Sequence, residues 1–562
     1  MQSSFFPTNS EVLVFIGAGA TAKLGMPSTN AQTIFFRNLT AAKDNIEKKQ
    51  YLKDYFSSPD LEKILAFLNL LDGTEKSNLE FSEADLDNAR IVYGNQNENL
   101  LRIRILELRQ EYDWNAAKEI IKICPHNKKN DSLILDAYSI IDKKLLSGQS
   151  LKVRTPDSDE EILPSRRLQG ARNFLILFVN MMFASAWFNI TNEEKVEEFD
   201  KYRKFINSFD HLMQQEGQRF YSRKYPVHDR KFYLFSTSFV SFNFEMVFPW
   251  IFMKSHYDMN HNPSYIQDHP LKLWLDYGCE HRGRKLDAEN NVIPTLEFTE
   301  TVASRENEED HIGTPLNRAG KFYFAHGSSA WRECPVCGRM TFYFGYSSEK
   351  WKYKSRELLS PFPIPIFEQI DEDALTPKEQ EWRKQLRWDS LQCMHCGSET
   401  KASDAPMIMQ TMYKSTPTSF LEEIQRNVKV SLEKARHIVL LGYRLPPDDT
   451  IWYQTFAEAV RSRVNTNLAA YCSVVVGYKG DEQWLYGDDL EKYVAVHRKD
   501  EDADDWGIGA IENALSIFGK DKVRAWTGGI PQVFGNCSEN DVKKLLYSEQ
   551  FVNWDGTRLE NN

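Results

Sequence analysis

The chain is 562 residues long, 41% hydrophobic and 13% aromatic, with a formal net charge of −11. That much apolar material excludes a disordered chain, and the length implies two or three domains. The acidic balance argues against a general binder of nucleic-acid backbones, so direct nucleic-acid binding is not expected.

The first predicted element is a strand, Val12 to Ile16, a continuous run rich in β-branched residues that suits burial on both faces. It runs into a glycine-rich turn, "GAGATAKLGMPS". Gly17 and Gly19 permit a tight bend and a close approach to a ligand without a Cβ in the way. Ala20 to Leu24 reads as the start of a helix, whose free N–H groups and positive dipole end suit a pyrophosphate. The first βα unit is therefore expected to bind a dinucleotide. The spelling departs from the common G-x-G-x-x-G, because Ala20, Thr21 and Ala22 follow Gly19. On its own such a loop is also the tight turn of any α/β protein.

A long region of helical character follows. Leu61, Ile64, Leu65, Leu68 and Leu71 recur at helical spacing, as do Leu101, Ile105 and Leu108. Leu133 to Leu146 is a third such run, with Gly148 as its stop. Residues 151–165 carry charge, proline and little periodicity and read as a loop. Residues 35–165 are thus expected to be a helical insertion between residues 1–34 and 166–330 of one nucleotide-binding domain. Asn173 to Ile190 is the only stretch that suggests a membrane span, but it is short and contains Asn180 and Ser185, so a buried helix is expected. The strand in "FSTSFVSFNFEMVF" then ends near Asn243, and a polar, irregular stretch occupies about 255 to 318. "FYFAHGS" carries His326. The second half of the sheet is expected over 403–562, with strands in "HIVLLGYRLPPDDT" and "SVVVGY" and a helix over 511–519 ending at Gly519.

Four of the eight cysteines form two knuckles, Cys334-Pro-Val-Cys337-Gly and Cys393-Met-His-Cys396-Gly. Each turns two thiolates toward one point, and two together supply a tetrahedral four-sulfur Zn2+ site. His395 is an alternative ligand, and a redox role for the knuckles is the competing reading. The zinc module is placed at 331–402. Cys124, Cys279, Cys472 and Cys537 carry no motif.

Four segments, taken in order, resemble the sirtuin family. Gly17, Ala18, Gly19, Thr21, Gly25, Met26 and Pro27 match its "GAG-(S/T)-x-x-x-G-(I/L/M)-P" loop, and Asn243 with Phe244 and Glu245 matches the strand-end "T-x-N-(Y/I)-D". His326-Gly327-Ser328 resembles "L-H-G-S", and the Gly442 turn resembles the "GYSLPxxD" of prokaryotic sirtuin-like proteins of phage defence. The resemblance covers about a third of the chain. It implies an α/β, Rossmann-like parallel sheet carrying the helical insertion and a four-cysteine zinc-ribbon module. It also implies Asn243 and His326 as catalytic residues, with NAD held by Gly17, Ala18, Gly19, Thr21, Pro27, Gly442, Tyr443 and Gly477.

Asn243 is suited to orient a ribose or a water, since its amide both donates and accepts; capping the following helix is its rival role. His326 is suited to general base work, and a plain turn residue is its rival. Two departures from deacetylases favour transfer of the ribose to water: Ser28-Thr29-Asn30 replaces "D-F-R", and "APMIMQTMYK" replaces the peptide-pairing "V-x-F-G-E". The expectation is a NAD hydrolase of the defence-associated branch, with a deacylase or a non-catalytic NAD sensor as alternatives. Such an enzyme needs gating, so a homo-oligomer or a partner, such as a ring-forming ATPase or a phage sensor, is expected. The thiols, the absence of a secretory pattern and the intracellular cofactor place it in the cytoplasm.

Overall fold

A computed structural model describes residues 12–27, 29–41, 52, 58–72, 81–124, 134–154, 161–190, 196–221, 237–249, 251–252, 275–276, 283–286, 292–295, 320–342, 390–393, 396–409, 418–445, 449–463, 470–477, 482–499 and 507–546. The main sheet has eight strands: β1 (Val12–Ile16), β2 (Thr237–Ser241), β3 (Leu275–Asp276), β4 (Gly320–Phe324), β5 (His437–Leu441), β6 (Tyr471–Val475), β7 (Trp484–Tyr486) and β8 (Val523–Trp526). Their order is β7-β8-β6-β5-β1-β2-β4-β3, and every pairing is parallel except that of the edge strand β7 with β8.

The order follows from the sequence of apolar runs. All five residues of β1, β2 and β5 are buried, as strands covered on both faces must be. Phe15 and Phe239 sit one step apart in register and so point to opposite faces. Phe15 meets Phe456 of a helix at 450–461 on one face, at 4.5 Å between centroids. Phe239 meets Phe209 of a helix at 196–221 on the other, at 5.5 Å. From β1 the chain passes to β2, then to the edge strand β3, returns to β4 between them, and crosses to β5 on the opposite side of β1. β1 and β5 therefore flank the point where strand order reverses, and open α/β sheets bind ligands outside their carboxyl ends there.

The helical insertion holds α1 (Thr29–Ala41), α2 (Ser58–Leu71), α3 (Glu83–Tyr93), α4 (Glu98–Glu111), α5 (Trp114–Ile123) and α6 (Ile134–Leu146), and it packs on α7 (Ser165–Ile190). Phe36 of α1, Trp114 of α5 and Phe174 and Phe178 of α7 form an aromatic core, with Trp114 and Phe174 at 4.9 Å. The apolar stretch expected to be a buried helix is the C-terminal part of α7, of which residues 174–183 are buried, and among the described residues no helix is long and apolar enough to cross a membrane. Gly148 closes α6 with φ +62°. Helices α8 (Val196–Tyr221), α9 (Ser419–Lys434), α10 (Thr450–Arg461), α11 (Gly487–His497), α12 (Ile508–Phe518) and α13 (Glu539–Leu546) complete the layers, α12 ending at Gly519.

Three expectations are corrected. Ala20 to Leu24 does not open a helix: two 3-10 turns, Ala18–Ala20 and Ala22–Leu24, end at Gly25 with φ +90°, and α1 begins at Thr29. Residues 151–165 are no plain loop, because Leu151–Val153 pairs antiparallel with Glu161–Leu163 and buries Leu151, Val153 and Leu163. The two strands have three residues each, too few for alternation to show through charge and proline. The stretch at 255–318 contains the edge strand β3 and a second hairpin, Gly283–Leu286 with Val292–Thr295. Ser28, Cys279 and His395 lie outside the described residues.

Candidate active site and metal centre

Register brings the four sequence-distant segments to one edge. Ile16 stands beside Ser241 and Leu441, Ser241 beside Phe324, and Leu441 beside Val475. Gly17, Asn243, His326, Gly442 and Gly477 each follow one of these strand ends by one or two residues.

The glycine loops of β1 and β5 touch backbone to backbone. Gly17 N donates to Leu441 O at 3.0 Å and Gly19 N to Gly442 O at 3.1 Å. A Cβ on Gly17 would lie 2.6 Å from Gly442 O; one on Gly442, whose φ is +62°, would lie 2.1 Å from Ala20 N. Glycine is required here by the packing of loop on loop, where the sequence suggested the approach of a ligand. Past Gly442 the chain enters the left-handed region again at Leu445 (φ 48°), whose carbonyl accepts from Asn513 Nδ2 of α12 at 3.0 Å. On the other side Tyr202 of α8 donates to Ala20 O at 2.6 Å.

Asn243 is fixed with its amide in one sense. Its Nδ2 donates to Gly17 O at 3.1 Å and to Glu245 Oε1 at 2.8 Å. Both partners are acceptors only, which assigns the nitrogen to that side and leaves Oδ1 as the group presented to a ligand. Of the two functions expected of this amide, accepting remains and donating is taken. The helix-capping role falls instead to Glu245, whose Oε2 accepts from Val247 N at 2.6 Å. Glu245 also accepts from Thr21 Oγ1 at 3.0 Å, so the hydroxyl of Thr21, a residue expected to hold NAD, is engaged by protein. Burial pushes the Glu245 carboxyl above its ordinary range, against the pull of these three hydrogen bonds. Sequence reasoning quoted Glu245 in its motif but gave it no role; a carboxyl two residues past the asparagine was the available signal.

His326 is fully buried and its ring lies 4.7 Å from that of Phe242. Its Nε2 is 3.4 Å from Oδ2 of Asp449, itself 1% exposed, and Tyr443 donates to the same oxygen at 3.3 Å. Tyr443 also stacks on Phe242 at 4.3 Å. The Asp449 partner was missed, although it stands in the "LPPDD" run after β5. His326 does occupy a turn: Gly327 has φ +80°, and a Cβ there would lie 1.6 Å from Pro406 O. Ile408 N donates to His326 O at 2.8 Å, and Gly327 bridges Met407. Ala18 and Gly477 are exposed at this edge, and Pro27 is half-buried beside the first turn.

The four knuckle cysteines come together, every Sγ within 4.8 Å of the others. Cys334–Cys396 and Cys337–Cys393 stand at 3.6 and 3.7 Å, far beyond disulfide length. Zinc bound at ordinary Zn–S lengths spaces its sulfurs by roughly 3.8 Å, close to these two distances, so the set is of a kind to hold Zn2+. The two knuckles are built alike: Gly338 N donates to Cys334 O, Cys334 N to Arg339 O, Gly397 N to Cys393 O and Cys393 N to Ser398 O. Gly338 and Gly397 supply the left-handed turns, with φ +64° and +76°. Cys124 and Cys472 are buried, and burial holds both thiols well above their ordinary range.

No protein-family profile matches this sequence, and no curated protein matches it.

Proposed function

We propose that this chain is a sirtuin-like NAD hydrolase, cleaving NAD to nicotinamide and ADP-ribose. The observation that carries the reading is the fixed amide of Asn243, oxygen outward, on the strand next to buried His326 at the point where strand order reverses. Breaking the nicotinamide–ribose bond develops positive charge on the ribose. A water oxygen bonds to the anomeric carbon, the carbon–nitrogen bond breaks, and nicotinamide leaves with the bonding pair. Asn243 Oδ1 accepts a hydrogen bond from that water or from a ribose hydroxyl, and His326 takes the proton released. Asp449 and Phe242 hold the imidazole in place. The zinc takes no part in the chemistry; Cys334, Cys337, Cys393 and Cys396 would hold it to staple the module beside the His326 loop.

Water is favoured over an acyl-peptide as the acceptor because residues 407 and 408 bond back to the His326 turn of the same chain. The resemblance extends the proposal to an anti-phage effector that destroys NAD once an assembled oligomer or a partner, ATPase or sensor, releases it. The test is chromatography of NAD incubated with purified protein, with and without lysate of phage-infected cells, beside His326→Ala and Asn243→Ala. Release of nicotinamide and ADP-ribose that both variants abolish supports the reading. NAD that binds yet stays intact in every mixture overturns it in favour of a sensor, and full activity of a monomer without any trigger removes the gating.

A further inference from the structure

A cavity of about 380 Å³ lies between helices α6 and α7, the start of α9 and the segment that leaves the zinc module. Its volume is in the range of small-molecule sites. Leu145, Ala405, Pro406, Met407, Ile408 and Leu421 give it apolar surface, and Arg172 and Asp142 also line it. Arg172 Nε donates to Asp142 Oδ1 at 2.7 Å, with the two side chains 15% and 4% exposed. Among the described residues no other hydrogen bond engages this pair, so the Nη amines remain as donors and Asp142 Oδ2 as an acceptor. We propose that this cavity binds a small neutral carboxamide, its C=O accepting from Arg172, its NH2 donating to Asp142, and its apolar body on Met407 and Ile408.

The head group follows from the pair. A carboxylate ligand would meet Asp142 as a like charge, and an ammonium would meet Arg172 as one; a primary amide satisfies both without a buried net charge. The location gives the site a route to the catalytic loop. Part of its lining is the same segment whose Ile408 N holds His326 O and whose Pro406 O faces Gly327. Its helical wall is tied to that segment as well. Glu111 at the end of α4 accepts from Ser403 Oγ at 2.6 Å, pairs with Lys401, and takes a hydrogen bond from Asn173 of α7. An occupant therefore bears on the backbone of His326.

Indole-3-acetamide and indole-3-acetate, which share a body and differ in the head, are the probes. Titration calorimetry on the full-length chain is expected to show saturable binding of the amide at least tenfold tighter than of the acetate. Leu146→Trp, which fills the cavity from a position 61% exposed, keeps the fold and should weaken the amide tenfold or more. Arg172→Lys keeps the ion pair but loses the planar fork and should weaken it several-fold. With the imidazoles 13C-labelled, amide binding should shift the His326 resonance in the wild type and leave it in place in Leu146→Trp. None of these readouts needs NAD turnover, so they stand or fall apart from the hydrolase reading. Absence of binding, equal binding of the acetate, or binding that Leu146→Trp leaves unchanged overturns the proposal.

Discussion

At the carboxyl edge of the sheet, loops touch backbone to backbone; in the helical insertion, helices packed on an apolar core are further joined by charged side chains. Gly17, Gly19, Gly327 and Gly442 each stand where a Cβ would press on a neighbouring main chain. The insertion is instead fastened by Arg109 on Asp85 and Leu70 O, Arg167 on Asp113 and Glu161, Arg172 on Asp142, and Lys401 on Glu111. The first kind of contact is short-ranged and has no slack, which suits a site where an amide and an imidazole must be held in place. The second reaches further and, where a partner is exposed as Lys401 is, it is screened by salt, which suits a region that reports on the site without forming it.

A matched pair of glycines gives this contrast its hardest test. Gly442 and Gly148 both have φ +62°, but a Cβ on Gly148 would meet nothing within 4 Å. Gly148→Ala is expected to lose about 1 kcal/mol, the cost of the left-handed backbone alone. Gly442→Ala should lose more than about 4 kcal/mol or give no folded protein, because Ala20 cannot retreat without breaking the β1 loop. Chemical denaturation of the two variants measures the difference. Equal losses would mean the loops are not locked together.

Within the locked edge, Glu245→Gln asks whether orientation matters apart from packing. The glutamine amide would offer a donor where Asn243 now meets only acceptors, so the Asn243 amide loses its reason to point one way. NAD turnover is expected to fall about 100-fold with little change in thermal stability. Turnover within about twofold of the wild type would show that the Glu245 carboxylate does not set the Asn243 geometry.

How much of this was legible depended on how local each signal was. The strand Val12–Ile16 and the two cysteine knuckles are written in adjacent residues, and the structure places them as read. The reason for the glycines was not legible, because the clash that forbids a side chain on Gly17 comes from Gly442. Asp449 ends the "GYSLPxxD" pattern, but its role was not readable, because the turn through Gly442 and Leu445 is what brings it to His326. β7, three residues long and only partly buried, carries no burial pattern for periodicity to find.

A third test uses acid against the far, amino-terminal end of the same sheet. His437 at the start of β5 places Nδ1 2.6 Å from Leu546 O and Nε2 2.7 Å from Ser473 Oγ. Arg524 already donates to that serine oxygen, so Ser473 donates to Nε2 and His437 is neutral with its proton on Nδ1. Burial pushes the imidazole down to about 3, from an ordinary 6.5. A lowered histidine contributes stability that is complete above pH 6.5 and declines as pH falls toward 3. The expected loss is about 1.4 kcal/mol per pH unit across that window. His437→Gln, which can still donate to Leu546 O and accept from Ser473, should flatten the profile; an unchanged slope would assign the acid sensitivity elsewhere.

The smallest effect belongs to the insertion. Glu111 joins α4 to Lys401 and Ser403, and Lys401 is 39% exposed, so screening by solvent limits the ion pair to about 1 kcal/mol. Glu111→Gln keeps an acceptor for Ser403 and removes only the charge. It should lower stability by that amount at low salt and by almost nothing near about 1 M salt, where the wild type has lost the same contribution. Gly148→Ala, whose cost is steric, should show no such salt dependence. If Glu111→Gln were instead as damaging at high salt as at low, the joint between insertion and zinc module would be packed like the sheet edge. The division between locked site and charge-joined insertion would then fail at the segment that leads to His326.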